Sequence, residues 1–581
     1  MAEEMERTPI GTVDELARAG VLAGKVGSQP VCVFWCDGEP AAVDDRCPHM
    51  GFPLHRGKVE EGLLTCLWHN ARFDLASGGT LDPFADDVHA HGVEIEDNQV
   101  YVVLRGNADP VTHHLRRLEE GLEHGLTLVS AKAVLALLEL MGEDEGTTAV
   151  LRAGAEFGLR NREAGWGTGL TVLVAMANVL PHLEPHARAL ALVHGLAFVS
   201  EDTRGRAPWF ALAPLSAEIE PTRLETWYRR FVDTRNGDAC ERVLATAIAE
   251  KSDPEMMSAL MGGAITDHLF VDGGHTVDFT NKAFELLEHL GWQDAISVLP
   301  ALAHGTATSS RSEESGQWRH PFDLVSLLAP TQSLDSLPTE ARADSVFSDQ
   351  EVDALAWEVL AEEPATVVTA LDAARAAGAD DEQLARAVAY AAALRLVRFH
   401  TQNDHSDWDV VHHGFTAANA THQMVRRSPT PVVARGIYQV AMKVFLDRFL
   451  NIPAARPPSS HARSTAPELG ELEQCWEREG MVEEAGAIVY GFLSAGGDQR
   501  AVVAALGAAL LAEDVEFHWY QVYEAAVRQS EAWPENSEQA AMILTGAARF
   551  LAAHTPTRRE LAQVVRIATR LRRGEALYEE M

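Results

Sequence analysis

What this chain has little of narrows it first. Six cysteines in 581 residues (Cys32, Cys36, Cys47, Cys66, Cys240 and Cys475) are too few and too scattered for a disulfide scaffold. Basic side chains are scarce as well. There are 48 Lys and Arg against 85 Asp and Glu, a formal net charge of -37 with histidine neutral. Such a surface repels phosphate backbones and anionic lipid, and no Lys/Arg run reverses the balance locally, so neither nucleic acid nor a membrane is expected as a partner. No run of about 18 apolar residues is present, so no membrane-spanning helix is expected. Residues 1–12 are charged and lack an apolar stretch, so no secretory leader is expected and the chain is assigned to the cytoplasm, where thiols stay reduced. No G-x-G-x-x-G follows a strand, which places NAD(P)H on a different protein.

What is present divides in two. The length argues for two or more domains. Val31 to Trp35, Gly62 to Leu67, Val93 to Ile95 and Val100 to Leu104 are short apolar or alternating runs, punctuated by Asp37-Gly38, Gly78-Gly79 and Asp97-Asn98. This pattern predicts a small antiparallel β domain over residues 1–108, with one helix or turn in Val13 to Ala23. Beyond it Ala, Leu, Glu and Arg dominate. Apolar residues then recur at three and four in Val129 to Met141, Leu170 to Leu180, Phe284 to Leu290, Leu384 to Val397 and Ala501 to Leu511. Residues 109–581 are therefore expected to be all-α, giving a multidomain α+β chain. Two stretches should interrupt the helices: a polar loop at Gly305 to Pro321 and a Pro/Ser/Ala-rich loop at 452–470.

The β segment carries a metal-ligand pattern. Cys47-Pro48-His49 is followed, sixteen residues later, by Cys66-Leu67-Trp68-His69. Two loops that each offer one thiolate and one imidazole can hold a [2Fe-2S] cluster asymmetrically, with Cys47 and Cys66 on one iron and His49 and His69 on the other. A structural Cys2His2 zinc site is the alternative, but zinc fingers pair like ligands, with both histidines on a helix.

Residues ~8–105 resemble a Rieske-type ferredoxin domain, and the resemblance is carried by CPHMGFPL and CLWHNARFDLASGGTL. It implies a one-electron carrier with solvent-facing histidines as the exit port. High-potential members carry an extra cysteine in each loop, forming a disulfide, and Ser and Tyr hydroxyls beside the sulfurs. Here the loop neighbours Met50, Gly51, Phe52, Leu67 and Trp68 include no cysteine, and the two hydroxyl positions hold Ala71 and Phe73, which implies a low-potential centre. The catalytic domain of Rieske oxygenases is not recognisable. His400 and His405 have its histidine spacing, but Val397 stands where its acid should be.

The helical part has histidines of its own. His275, Asp278, Asn281 and Glu285 align without gaps with His413, Thr416, Asn419 and Gln423. On helices, steps of three and four put each set on one stripe. The 138-residue offset suggests an internal duplication, with the two segments as neighbouring, facing helices. His400, His405, His412, His413 and His422 crowd into 23 residues among Asp404, Asp407 and Asp409. With 85 acids and 24 histidines, acid-x-x-His pairs such as Asp272/His275 and Asp409/His412 arise by chance, so no diiron centre is assigned. His194 and the aromatic-rich stretch Glu516 to Glu524 are further candidates. Asp407 to Ala417 and the stretch around His275 also resemble segments of the questin oxidase family, helical His-rich proteins implicated in oxidative ring opening of aromatic polyketides.

These readings give an iron–sulfur oxidoreductase of oxygenase type. Its cluster would pass single electrons to a His-rich site, for oxygenation of a cyclic organic small molecule. Candidate catalytic residues are His275, His413, Glu285, His422 and His518. Candidate ligands of an additional iron, or pocket residues, are His268, His275, His412 and His413. A separate NAD(P)H-dependent reductase or ferredoxin would supply the electrons, and self-association is open. The competing reading is a non-catalytic electron-transfer or redox-sensing protein whose helices form a docking scaffold.

Overall fold

The computed structural model describes residues 7–105, 109–161, 163, 165–250, 253–332, 347–458 and 467–577. The chain divides into two compact units, Met1–Gly154 with Leu561–Met581, and Ala155–Glu560.

The first unit begins with the antiparallel β structure. Its strands are β1 (Arg7–Thr12), β2 (Val21–Val26), β3 (Gln29–Cys36), β4 (Glu39–Asp44), β5 (Lys58–Glu60), β6 (Leu63–Thr65), β7 (Arg72–Asp74), β8 (Ala90–Glu96) and β9 (Gln99–Val103). A six-stranded sheet runs β1-β9-β8-β4-β3-β2, and a three-stranded sheet runs β5-β6-β7. Asp37 and Gly38 (φ 53° and 90°) join β3 to β4, and Asp97 and Asn98 (φ 48° and 61°) join β8 to β9. Two consecutive left-handed residues are what a two-residue hairpin needs to follow the strand twist. The Val13–Ala19 helix is shorter than the sequence suggests, because Gly20 (φ 78°) ends it and Val21 starts β2. Helices Pro110–His124 and Thr127–Met141, the first part of Glu143–Arg160 and nearly all of Glu560–Arg572 also belong to this unit.

The second unit is almost wholly helical. Four of its helices form a ring with neighbours in contact: Thr168–Val179, His275–Leu290, Asp407–Arg427 and Phe517–Glu531. The His275 and His413 segments are thus adjacent helices. Gly274 explains how they approach: a Cβ there would lie 2.7 Å from the Ala417 Cβ, and its φ of 99° suits glycine. The expected loop at Gly305 to Pro321 is partly ordered instead. Ala303–Thr308 is helical and is succeeded by two 3-10 turns, Ser312–Glu314 and Gly316–Trp318. Of the 452–470 loop, residues 459–466 lie outside the described residues. No helix among the described residues is long and apolar enough to cross a membrane.

Candidate functional sites: two cysteine–histidine loops and a histidine triad

The first site is built by two loops of the same design. In one, the Cys47 N–H donates to the Phe52 carbonyl (2.8 Å) and Gly51 N–H to the Cys47 carbonyl (2.8 Å). In the other, Cys66 N–H donates to Ala71 (2.8 Å) and Asn70 N–H to Cys66 (2.9 Å). Each loop turns through a left-handed residue four places after its cysteine, Gly51 (φ 81°) and Asn70 (φ 61°). Gly and Asn are the residues that tolerate this conformation. The second loop joins β6 to β7, and the first comes after β4.

Both cysteines are buried, in one cluster with Leu54, Leu64, Ala71 and Phe73. His49 is half-buried and His69 exposed, their rings 4.8 Å apart. The thiols lie within hydrogen-bond reach of each other. Donation from Cys47, with the backbone amides of Trp68 and His69, lowers the Cys66 thiol to about 6. Burial, then Lys132 and His69, lower His49 to about 4, leaving a neutral imidazole whose buried Nδ1 has no partner. Two converging thiols and two imidazoles, one with an orphaned nitrogen, are a donor set that fits a Cys2His2-ligated iron–sulfur cluster. The Lys132 ammonium caps the first loop, donating to the Pro48 carbonyl (2.7 Å) and to that of His49.

The second site lies within the helical unit. His275, His413 and His518 bring three ring nitrogens within 4.8 Å of one another. His518 Nε2 is 3.3 Å from His275 Nε2 and 3.0 Å from His413 Nε2. Their tautomers are set from behind. His275 Nδ1–H donates to the Asp272 carbonyl (2.8 Å), and His413 to that of Asp409. Both Nε2 atoms are therefore lone-pair acceptors, and a single Nε2–H on His518 can satisfy only one of them. Burial lowers His413 to about 3, helped by His275 and Lys443, and lowers His518 to about 2, helped by His413 and His275. Three imidazoles with converging Nε2 atoms, two of the rings fixed by backbone carbonyls, fit a divalent transition metal.

Residues 6–91 match the family model of the Rieske [2Fe-2S] domain. The anthranilate 1,2-dioxygenase ferredoxin subunit of Burkholderia cepacia is 32% identical over 95 residues, 16% of this chain and 88% of that protein. The chain belongs to the Rieske [2Fe-2S] family. The 3-phenylpropionate/cinnamic acid dioxygenase ferredoxin subunit of Photorhabdus laumondii is 34% identical over 103 residues, 17% of this chain and 96% of that protein. Human apoptosis-inducing factor 3 is 40% identical over 91 residues, 16% of this chain; the match spans only 15% of that protein. The Rieske likeness thus concerns the β domain.

Among the helical candidates, the structure brings together His275, His413 and His518, with His412 beside them. The His412 ring lies 4.2 Å from that of His518, but its Nδ1–H donates to the Trp408 carbonyl (3.0 Å) and its buried Nε2 has no partner. His268 is not brought into the triad. Its helix ends at Thr266, the chain turns through left-handed Asp272, Gly273 and Gly274, and His268 Nδ1 pairs with Glu313 (2.9 Å). His422 lies more than two turns along from His413, with Nδ1 on Gln529 (3.1 Å). Glu285 faces the bundle interior, where it binds Lys282 (2.7 Å). His194 is a buried structural residue between Tyr520 (2.6 Å) and the Leu511 carbonyl (3.1 Å). His400 and His405 also stay outside: His400 Nδ1 accepts from Gln402 N–H, and His405 packs on His554. The sequence reading missed Lys282 as the partner of Glu285, did not foresee the burial of Asp278 against Gln521 and did not single out Lys132. Asp278 stood on the aligned stripe, but a lone lysine on a helix carried no signal of burial.

Proposed function

We propose that this protein is an oxidoreductase in which the Rieske cluster delivers single electrons to an iron held by His275, His413 and His518, for oxygenation of a cyclic organic substrate. The observation that carries the reading is the convergence of three Nε2 atoms, on two rings fixed by hydrogen bonds to backbone carbonyls and on His518 between them. Cys47 and Cys66 would hold one iron of the cluster and His49 and His69 the other, over a Rieske domain of residues 1–108 and a helical domain of residues 109–581. When bound, the cluster would supply a one-electron redox centre and an iron on the three imidazoles would supply a redox metal for oxygen chemistry.

The chain's own residues do the rest. Exposed His69 and half-buried His49 present the electron port, while buried cysteines keep water from the sulfurs. The Asp272 and Asp409 carbonyls hold the triad rings in the ligating tautomer. His412 walls the triad on one side. Relatives named as ferredoxin subunits of dioxygenases support a carrier fed by a separate reductase. The cyclic substrate rests on the sequence resemblance around Asp407 to Ala417 alone.

Iron and acid-labile sulfide per chain, measured on anaerobically purified protein, test the proposal. Iron in excess of sulfide is expected, with His413→Ala losing only the excess. Equal iron and sulfide after loading with ferrous salt would sink the second site and leave an electron carrier.

A further inference from the structure

The ring of four helices has a charged interior. From the triad inwards, Asp278 lies one turn along from His275, Lys282 the next, and Glu285 the next, all buried. Lys282 Nζ donates to Glu285 (2.7 Å) and to Glu524 across the bundle (3.0 Å), which leaves it a third N–H. Asn178 from the Thr168–Val179 helix bridges Glu285 (2.8 Å) and Glu524 (3.1 Å). Asn281 steadies Glu285 (2.9 Å). At the triad end the Gln521 side-chain amide, one turn after His518, donates to Asp278. At the other end Glu285 borders a cleft of about 310 Å³ edged by Glu288, Arg427 and Arg528.

Taking these charges out of water is costly, and well-packed apolar residues would do as well for stability alone. Glu285 and Glu524 have Lys282 as an ion-pair partner and Glu524 also has Arg528 (3.5 Å), whereas Asp278 is hydrogen-bonded to the neutral Gln521 amide. Burial, with Glu524 and Glu285 nearby, raises it to about 7 against the pull of Lys282 and the Gln521 amide. Gln521, one turn after His518 on the same helix, is 2% exposed and its Oε1 is buried without a partner, an acceptor left for a further donor beside Asp278.

We infer that this chain of side chains conducts protons between the Glu285 cleft and the histidine triad, with Asp278 as its inner terminus. The path has a use only if the triad holds a redox metal, as proposed above. An electron added to a metal in a low-dielectric interior is unfavourable unless a proton accompanies it. The transfer conserves charge and atoms. A proton from cleft water joins the Glu285 carboxylate. Lys282 gives one of its own to the nearby Asp278 carboxylate, leaving it protonated, and recovers one from Glu285. One proton has then moved inwards and no other bond has changed.

The test uses the full-length protein loaded with ferrous iron. The midpoint potential of the non-cluster iron is measured from pH 6 to 9, and proton uptake on rapid reduction is read with an indicator dye. The wild-type midpoint should fall by about 59 mV per pH unit, one proton per electron. Asp278→Asn should flatten that slope with iron content and the cluster spectrum unchanged. Glu285→Gln, at the cleft, should keep the slope and slow uptake at least tenfold. Wild-type slope and uptake rate in both variants, or a wild-type midpoint independent of pH, would overturn the relay alone. Failure of the wild-type protein to hold any non-cluster iron would overturn the triad reading and the relay with it.

Discussion

His413 Nε2 and His518 Nε2 stand 3.0 Å apart although 105 residues separate them in the chain. Each sits on its own helix of the bundle, and His275 meets the same His518 nitrogen at 3.3 Å from a third. Nitrogen lone pairs at this separation repel unless a proton or a cation lies between them. His518→Ala should weaken retention of the sulfide-independent iron by about 100-fold or more, while the cluster's absorption and EPR signal stay as they are. Iron analysis after gel filtration reads the outcome, and unchanged iron would remove His518 from the site.

Phe73 is wholly buried in the cluster of residues that contains Cys47 and Cys66. Phe73→Tyr offers the sulfurs a hydroxyl donor. One such hydrogen bond, worth about 1 kcal/mol, should raise the Rieske midpoint by about 40 mV. Potentiometry of the purified protein decides it, and an unchanged or lowered midpoint would count against the role of sulfur hydrogen bonding here.

Lys282 is the buried counter-ion of Glu285 and Glu524. Lys282→Met leaves Glu285 without its ion-pair partner in the core, at a cost of about 3–5 kcal/mol, while Arg528 stays 3.5 Å from Glu524. Lys282→Met combined with Glu524→Gln should recover part of that loss. Urea denaturation monitored by circular dichroism compares the two, and a double variant less stable than the single one would show the pairing to be misread.

Asp86 and His113 form an ion pair at 3.0 Å in the first unit. The Asp86 hydrogen bond raises the His113 imidazolium above its ordinary 6.5, against burial. Asp86 is held below its ordinary 3.8, because His113 and Arg117 outweigh its burial. The imidazolium's contribution is therefore complete below about pH 6.5 and is lost as pH rises through the folded value. His113→Asn should cost on the order of 1 kcal/mol at pH 5.5 and little at pH 9. Chemical denaturation at the two pH values measures it. An equal loss at both would mean that His113 acts through packing.

The cluster loops were legible because their ligands are local: Cys47 with His49 and Cys66 with His69 sit on short turns whose spacing states the chemistry. Asp37-Gly38 and Asp97-Asn98 likewise announced their hairpins, since few residues accept two successive left-handed conformations. The change from β to helix near residue 108 was visible in the change of apolar period. The His275 and His413 stripes were visible for the same reason.

Periodicity assigns a residue to a face of its own helix and says nothing about which faces meet. His268 lies as close in sequence to His275 as many true ligands do to each other. The left-handed turn through Asp272, Gly273 and Gly274 separates the two, and Glu313 takes His268. His412 and His413 are neighbours in sequence, yet a helix turns successive side chains by about 100°, so only His413 points its Nε2 at His518. The sequence by itself determined the Rieske loops, the all-α character of the chain beyond residue 108 and the polar stripes. Only the packing of four helices decided that His518 completes the triad and that Lys282 lies buried between Glu285 and Glu524, because long-range contacts depend on how whole helix faces fit together.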